Sequence, residues 1–289
     1  AALGRPGYIN LNRSSILGSD DRDVKTMQHQ ANTVMDRLFS LSVDNVAWLD
    51  CARSYGLSEK FVGEYLKSNN IKPDEVYVSS KWGYTYVADW KVSLEEGKPH
   101  EVKDHSVENF LKQVEETVEF LGDYVNLYQV HSATFESGIL SDPKAHAALR
   151  KCRKERGWAL GLSVSGPNQN DVLRQAMTLV ENGEPLFDSV QCTYNVLEQH
   201  PAEALLEAHN SGIDIIIKEG LANGRALKNA AISKYAKQLG CEPDSLALAC
   251  ILAQPFEPRV LSGAITPDQL ESNFKAIEVS GKLKEEPEL

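Results

Sequence analysis

Short runs of apolar, β-branched residues alternate along the chain with longer stretches in which apolar residues recur every three or four positions. The short runs predict strands over Asn45–Leu49, Val76–Ser80, Asn126–His131, Ala159–Ser165, Ser189–Tyr194, Ile213–Lys218 and Arg259–Ala264. The longer stretches predict helices over Lys25–Ser40, Ser58–Asn69, Ser106–Leu121, Asp142–Glu155, Gln169–Asn182, Ala202–Asn210, Leu227–Leu239 and Pro267–Ile277. The strand runs are almost continuously apolar, as a parallel sheet covered by helices requires. Seven βα units, with one helix ahead of them, predict an α/β fold of the (β/α)8 TIM barrel type. The first helix has no complete strand before it, so the first strand is expected to be clipped at the N-terminus, with Ala1–Leu3 as its stub. An open doubly wound sheet of seven parallel strands satisfies the same pattern.

No linker or low-complexity stretch divides the 289 residues, and a single barrel domain over 1–289 fits that length. Two irregular segments interrupt the alternation. One, Trp82–Asp104, is rich in aromatic residues; the other, Glu219–Arg225, follows the run ending at Lys218. Barrel enzymes build their sites from loops that follow strands, so both segments are candidate site walls. The charged run Lys282–Glu288 reads as a solvated, frayed tail.

Charge narrows the field of partners. Thirty basic residues against 41 acidic ones leave a net charge of −11, which argues against nucleic acid and anionic membrane. A small phosphate-bearing cofactor remains compatible, because helix N-termini supply local donors. Five cysteines without a CxxC pair argue against a disulfide framework and against a metal site, and favour a reducing compartment. No apolar run approaches the roughly 18 residues of a membrane span. A cytoplasmic protein is expected, or an organellar one if a segment ahead of Ala1 has been removed. Nothing in the sequence speaks to oligomeric state.

Three successive strand runs deliver chemically capable residues at their C-terminal ends. Asp50 follows the first, with Tyr55 five residues on; Lys81 closes the second; His131 closes the third. Each alone has a bland explanation: a loop aspartate and tyrosine, a snorkelling lysine, a structural histidine. Together they fall on the face where barrel active sites sit. Lysine at the end of a buried strand also demands a partner. Trp82 and Tyr84 are candidates for a substrate pocket, with loop packing as the competing role, and Cys51 is expected to be inert packing. Neither GxGxxG nor a P-loop is present.

The segments Asp50-Cys-Ala-Arg-Ser-Tyr55-Gly, Lys81 and Tyr128-Gln-Val-His131 resemble the catalytic motifs of the aldo-keto reductase superfamily. The resemblance continues through Gly161-Leu-Ser-Val-Ser165, Gln191-Cys-Thr-Tyr194-Asn195, Leu221-Ala-Asn-Gly224 and Gly263-Ala-Ile-Thr-Pro-Asp-Gln269 with Asn273. It implies an NAD(P)-dependent oxidoreductase that reduces an aldehyde or ketone by hydride transfer, or runs the reverse. In that reading Tyr55 is the general acid, Lys81 and Asp50 tune it, and His131 orients the carbonyl. The residue types suit this chemistry, because a phenol of pKa about 10 is a weak acid at neutral pH and an adjacent ammonium favours its anion.

The resemblance also implies a cofactor extended across the barrel mouth. Ser165, Gln191 and Lys218 fall near the nicotinamide, Leu221, Asn223, Gly224 and Arg225 around the pyrophosphate, and Gly263, Ile265, Thr266, Gln269 and Asn273 around the adenosine. The sequence departs from the family pattern in three ways. Lys218 stands where many relatives carry an aromatic residue, and Gly166 replaces a common asparagine. Gly263 and Gln269 replace basic residues that often grip a 2′-phosphate. Arg225 is the remaining source of that charge and makes NADP the expected cofactor ahead of NAD. Three other functions share the pattern: a cofactor-binding regulatory subunit similar to potassium-channel β-subunits, an NAD-dependent sugar or polyol dehydrogenase, and an unrelated barrel lyase or isomerase.

Overall fold

Asp23 accepts the backbone N–H groups of Lys25 and Thr26 and thereby starts α1 (Val24–Leu41), whose Met27, Ala31, Val34 and Met35 bury one face. This helix opens the main run of a computed structural model that describes residues 3–7, 22–43 and 45–285. The expected strand stub falls at Ala1 and Ala2, outside the described residues, while Leu3 stands in a turn. There follow β1 (Ala47–Asp50), α2 (Ser58–Ser68), β2 (Val76–Trp82), the hairpin strands β3 (Tyr84–Tyr86) and β4 (Glu101–Lys103), α3 (Val107–Leu121) and β5 (Val125–Ala133). Next come α4 (Pro143–Arg156), β6 (Ala159–Val164), α5 (Gln169–Met177), a second hairpin of β7 (Val180–Glu181) and β8 (Glu184–Pro185), β9 (Ser189–Thr193), α6 (Ala202–Asn210) and β10 (Asp214–Lys218). The described chain closes with α7 (Ala230–Leu239), α8 (Pro243–Leu252), β11 (Arg259–Val260), α9 (Pro267–Phe274) and α10 (Ala276–Glu285).

Seven strands form one parallel sheet in the order β1-β2-β5-β6-β9-β10-β11. The order follows the chain without the reversal that defines a doubly wound sheet. The sheet curls: Gln129 on β5 and Gln191 on β9 both reach the Asp50 side chain at the end of β1, at 3.3 and 3.4 Å. Its two ends approach as well. Arg259 lies 4.1 Å over the Trp48 ring, Gln30 of α1 donates to the Ile265 carbonyl, and Arg37 pairs with Glu271 of α9 at 2.7 Å. This is the (β/α)8 barrel with seven strand positions filled; among the described residues no strand bridges β11 to β1.

The departures from expectation have local causes. α8 reads Pro-Asp-Ser-Leu-Ala-Leu-Ala-Cys-Ile-Leu and is buried on most sides, so it lacks the periodicity that reveals a surface helix. α5 stops at Met177 rather than Asn182, because Asn182 and Gly183, both at positive φ, turn the chain into the β7–β8 hairpin. The expected tail is helical as far as Glu285, with Lys282 paired to Glu278 at 2.8 Å, and residues 286–289 lie outside the described residues. No helix among the described residues is long and apolar enough to cross a membrane.

Candidate active site

Lys81, at the C-terminal end of β2, is 0% exposed. Burying an ammonium is costly unless a counter-charge and hydrogen bonds receive it. Here the Lys81 Nζ is ion-paired with Asp50 and donates to the Cys51 carbonyl at 2.9 Å. The other carboxylate oxygen of Asp50 accepts from Ser79 Oγ at 2.7 Å, besides the two glutamine contacts. The register of β1 on β2 opposes Asp50 to Ser79, so that pair follows from the sheet itself.

The loop from β1 to α2 carries Tyr55 over this pair. Lys81 Nζ lies 4.8 Å from the centre of the Tyr55 ring, and the His131 ring meets Tyr55 edge-on at 5.5 Å. Tyr84 covers the His131 ring from another side at 5.1 Å, and Ser54 Oγ lies 3.3 Å from His131 Nδ1. Backbone bonds fix the loop: Cys51 N to Ser79 O at 2.7 Å, Arg53 N to Lys81 O at 3.0 Å and Leu57 N to Gly4 O at 2.8 Å. The four expected catalytic residues are therefore brought together.

Behind the loop lies a buried polar group that the sequence reading missed. Glu59, 2% exposed, is ion-paired with Arg53 and accepts from Ser80 Oγ at 2.5 Å and Thr117 Oγ1 at 2.9 Å. Arg53 also reaches Glu116 at 2.8 Å. Because Arg53 and Glu59 flank Tyr55, this cluster holds both ends of the loop. The available signal was a glutamate on the face of α2 that buries Val62 and Leu66.

Electrostatics set the state of His131. Burial first, then the nearby Lys81 and Lys218 ammonium groups, push its pKa well below the ordinary histidine value, so the ring is neutral at pH 7. Burial raises the Tyr84 phenol. Burial, with Glu59 and Asp50 nearby, pushes the Cys51 thiol up to about 12, which agrees with inert packing.

A cavity of about 1160 Å³ opens beside Asp50 and Tyr55 and also runs between β1 and β11. Gln191, Lys218, Leu221, Asn223 and Gly224 are among its lining residues. Gly263, Ile265, Gln269 and Asn273 line it too. Lys218 donates to Thr193 Oγ1 at 2.7 Å, with Glu219 at 3.6 Å. Ser165 and Thr266 are not part of this lining. Ser165 follows β6, and Thr266 caps α9 by accepting from the Gln269 N–H at 3.2 Å.

Two of the expected site residues stand away from the cavity. Trp82 lines no open pocket: it is 0% exposed and packs against Phe110 and His105, with ring centres 4.8 and 5.5 Å away. Its place in β2, one residue beyond Lys81, turns it into the barrel wall. Arg225 is exposed, lies outside the cavity lining and turns back to donate to the Ala222 carbonyl of its own loop at 2.9 Å.

A family model for the Aldo/keto reductase family matches residues 17–287. The chain belongs to that family. Membership makes it an NAD(P)H-dependent oxidoreductase. The chain is 24% identical over 322 residues to the uncharacterized oxidoreductase YrpG of Bacillus subtilis, spanning 96% of this chain and 90% of that one. It is 23% identical over 258 residues to the NADH-specific methylglyoxal reductase of Escherichia coli, spanning 78% and 76%. Among solved structures, the holo form of the aldo-keto reductase AKR11C1 from Bacillus halodurans superposes with a TM-score of 0.65 at 22% identity, covering 89% of this chain and 83% of the other.

Proposed function

We propose that this aldo/keto reductase interconverts a small aldehyde or ketone and its alcohol with Tyr55 as the proton donor and acceptor. The observation that carries the reading is the wholly buried Lys81, paired with Asp50 and set 4.8 Å from the Tyr55 ring. As the carbonyl oxygen gains negative charge, Tyr55 donates its proton, and the Lys81 ammonium stabilises the tyrosinate left behind. Asp50 fixes that ammonium and balances its charge. His131 stays neutral and donates a ring N–H to the same oxygen; with the Ser54 hydroxyl donating to Nδ1 across 3.3 Å, that N–H is on Nε2. In the oxidative direction Tyr55 accepts the alcohol proton through the same contacts.

A nicotinamide dinucleotide suits a cavity of this size and supplies the hydride when bound. Gln191 and Lys218 would hold its nicotinamide end, and the Leu221–Gly224 turn its pyrophosphate. The lining beside α9 bears on the choice of cofactor. The lining from Ser262 to Asn273, with Glu242 and Asp244 beside it, holds no lysine or arginine among the described residues. Asp244 is fixed there by Ser272 Oγ at 2.9 Å and Asn273 Nδ2 at 2.8 Å. A carboxylate accepts hydrogen bonds from ribose hydroxyls and repels a 2′-phosphate. With Arg225 turned away, NAD fits better than NADP.

Tryptophan-fluorescence titration with NADH and NADPH, alongside turnover of a panel of aldehydes, tests the reading. NADH is expected to bind more tightly. Tyr55→Phe is expected to keep cofactor affinity and lose about 10²–10⁴-fold in kcat. Tighter NADPH binding overturns the cofactor assignment. Binding without turnover favours a regulatory subunit, and binding of neither cofactor by folded protein overturns the whole reading.

A further inference from the structure

The backbone of β5 does not run straight through His131. Its register on β6 breaks between Val130 and Ala133, and Ser132 adopts a φ of +54°. A residue with a Cβ is strained in that left-handed region, and an irregularity of this kind re-aims the side chain beside it. The direction of the His131 ring therefore depends on what holds the backbone at 131–132.

Two contacts hold its backbone groups, beside a side-chain hydrogen bond between Tyr84 and Ser132. Ser132 N donates to Ser163 Oγ of β6 at 2.8 Å. From the opposite side, His105 Nε2 lies 2.9 Å from the His131 carbonyl oxygen. A carbonyl only accepts, so the hydrogen sits on His105 Nε2 and Nδ1 is the bare nitrogen. Nδ1 is buried and has no hydrogen-bond partner among the described residues. Burial lowers the His105 pKa to about 4, in keeping with a neutral ring at pH 7.

The surroundings press this ring into place. Trp82 meets it edge-on at 5.5 Å. Gly83, at φ +106°, comes so close that a Cβ there would lie 2.3 Å from the ring Cδ2. Gly83 is itself held, its N–H bonded to Gln113 Oε1 at 2.8 Å and its carbonyl to Asp104 N at 2.9 Å.

We propose that His105 is a positioning residue: by donating Nε2–H to the His131 carbonyl it fixes the irregular backbone at 131–132, and so aims His131 at the substrate oxygen, given the carbonyl-orienting role proposed above. It acts through the backbone of His131 and takes no part in proton transfer. This role also explains why Trp82 and Gly83 follow Lys81 without reaching the cavity: they form the socket for His105.

The test compares His105→Gln, whose side-chain amide reaches a similar position and still donates, with His105→Leu, which keeps bulk and loses the donor. His105→Leu is expected to lower kcat about 10- to 100-fold with NADH affinity unchanged, and His105→Gln to recover most of it. Long-range ¹H–¹⁵N spectra at pH 7 give a readout independent of turnover. They are expected to show the Nε2–H tautomer at His105, and His131 resonances that shift in His105→Leu and return in His105→Gln. An Nδ1–H tautomer or an imidazolium at His105, or wild-type kcat in His105→Leu, overturns the proposal. Equal losses in both variants overturn it too, since they indicate packing rather than the donor. If His105→Leu does not fold, the wild-type tautomer and the His105→Gln variant decide. If the wild type turns over no substrate, the reaction reading fails by itself, and the spectra still decide whether His105 holds His131.

Discussion

Asp50 is the residue on which the most contacts of the site converge. It carries the ion pair with Lys81 and accepts from Ser79, Gln129 and Gln191. Asp50→Asn keeps the shape but leaves a buried ammonium without a counter-charge, a change that costs about 3–5 kcal/mol when a buried pair is broken. The variant is expected to unfold at clearly lower urea concentration and to lose turnover; wild-type stability would show that the pair contributes little. Asp50, Tyr55, Lys81 and His131 were legible in the sequence, because strand ends in a barrel converge on one face. Ser79, Gln129, Glu59 and His105 were not. Serine, glutamine and glutamate are common everywhere, and only distances between remote segments show that they are buried and bonded.

Among the elements, α2 and α3 pack closely where Gly63 faces the Phe120 carbonyl, only 2.1 Å from where a Cβ would stand. Backbone cannot yield as a flexible side chain does, so Gly63→Ala must push the helices apart. A destabilisation of about 1–3 kcal/mol is expected, read as a lower Tm; an unchanged Tm would mean that the contact relaxes freely. Helix and strand positions were mostly legible, since apolar period and caps act locally: α4 is expected over Asp142–Glu155 and runs from Pro143 to Arg156, capped by Asp142 and Gly157. α8 escaped because burial on most sides erases amphipathicity. The β3–β4 hairpin escaped because its strands are joined by fourteen residues, Val87 to His100, far beyond a two-residue turn signal.

For the molecule as a whole, two neutral histidines, the buried His105 and the half-buried His131, couple stability to pH. His105 has a folded pKa of about 4, and that of His131 lies well below the ordinary value. An unfolded histidine titrates near 6.5. Below that pH the unfolded chain binds protons that the folded chain refuses, so stability is flat above about 6.5 and falls as pH drops toward 4. Each group contributes at most about 1.4 kcal/mol per pH unit. Urea midpoints are expected to decline from pH 7 to pH 5, less steeply in His105→Gln; a flat profile would contradict the buried neutral rings. By itself the sequence determined the strands of the parallel sheet, most of the helices that cover it and the four residues that meet at its mouth, because periodicity and strand polarity are properties of neighbours along the chain. The tertiary structure decided that Trp82 is wall rather than pocket, that Arg225 turns back onto its own loop, and that Asp244 lines the cavity. Those facts depend on how segments far apart in the chain pack in space, and no local pattern encodes them.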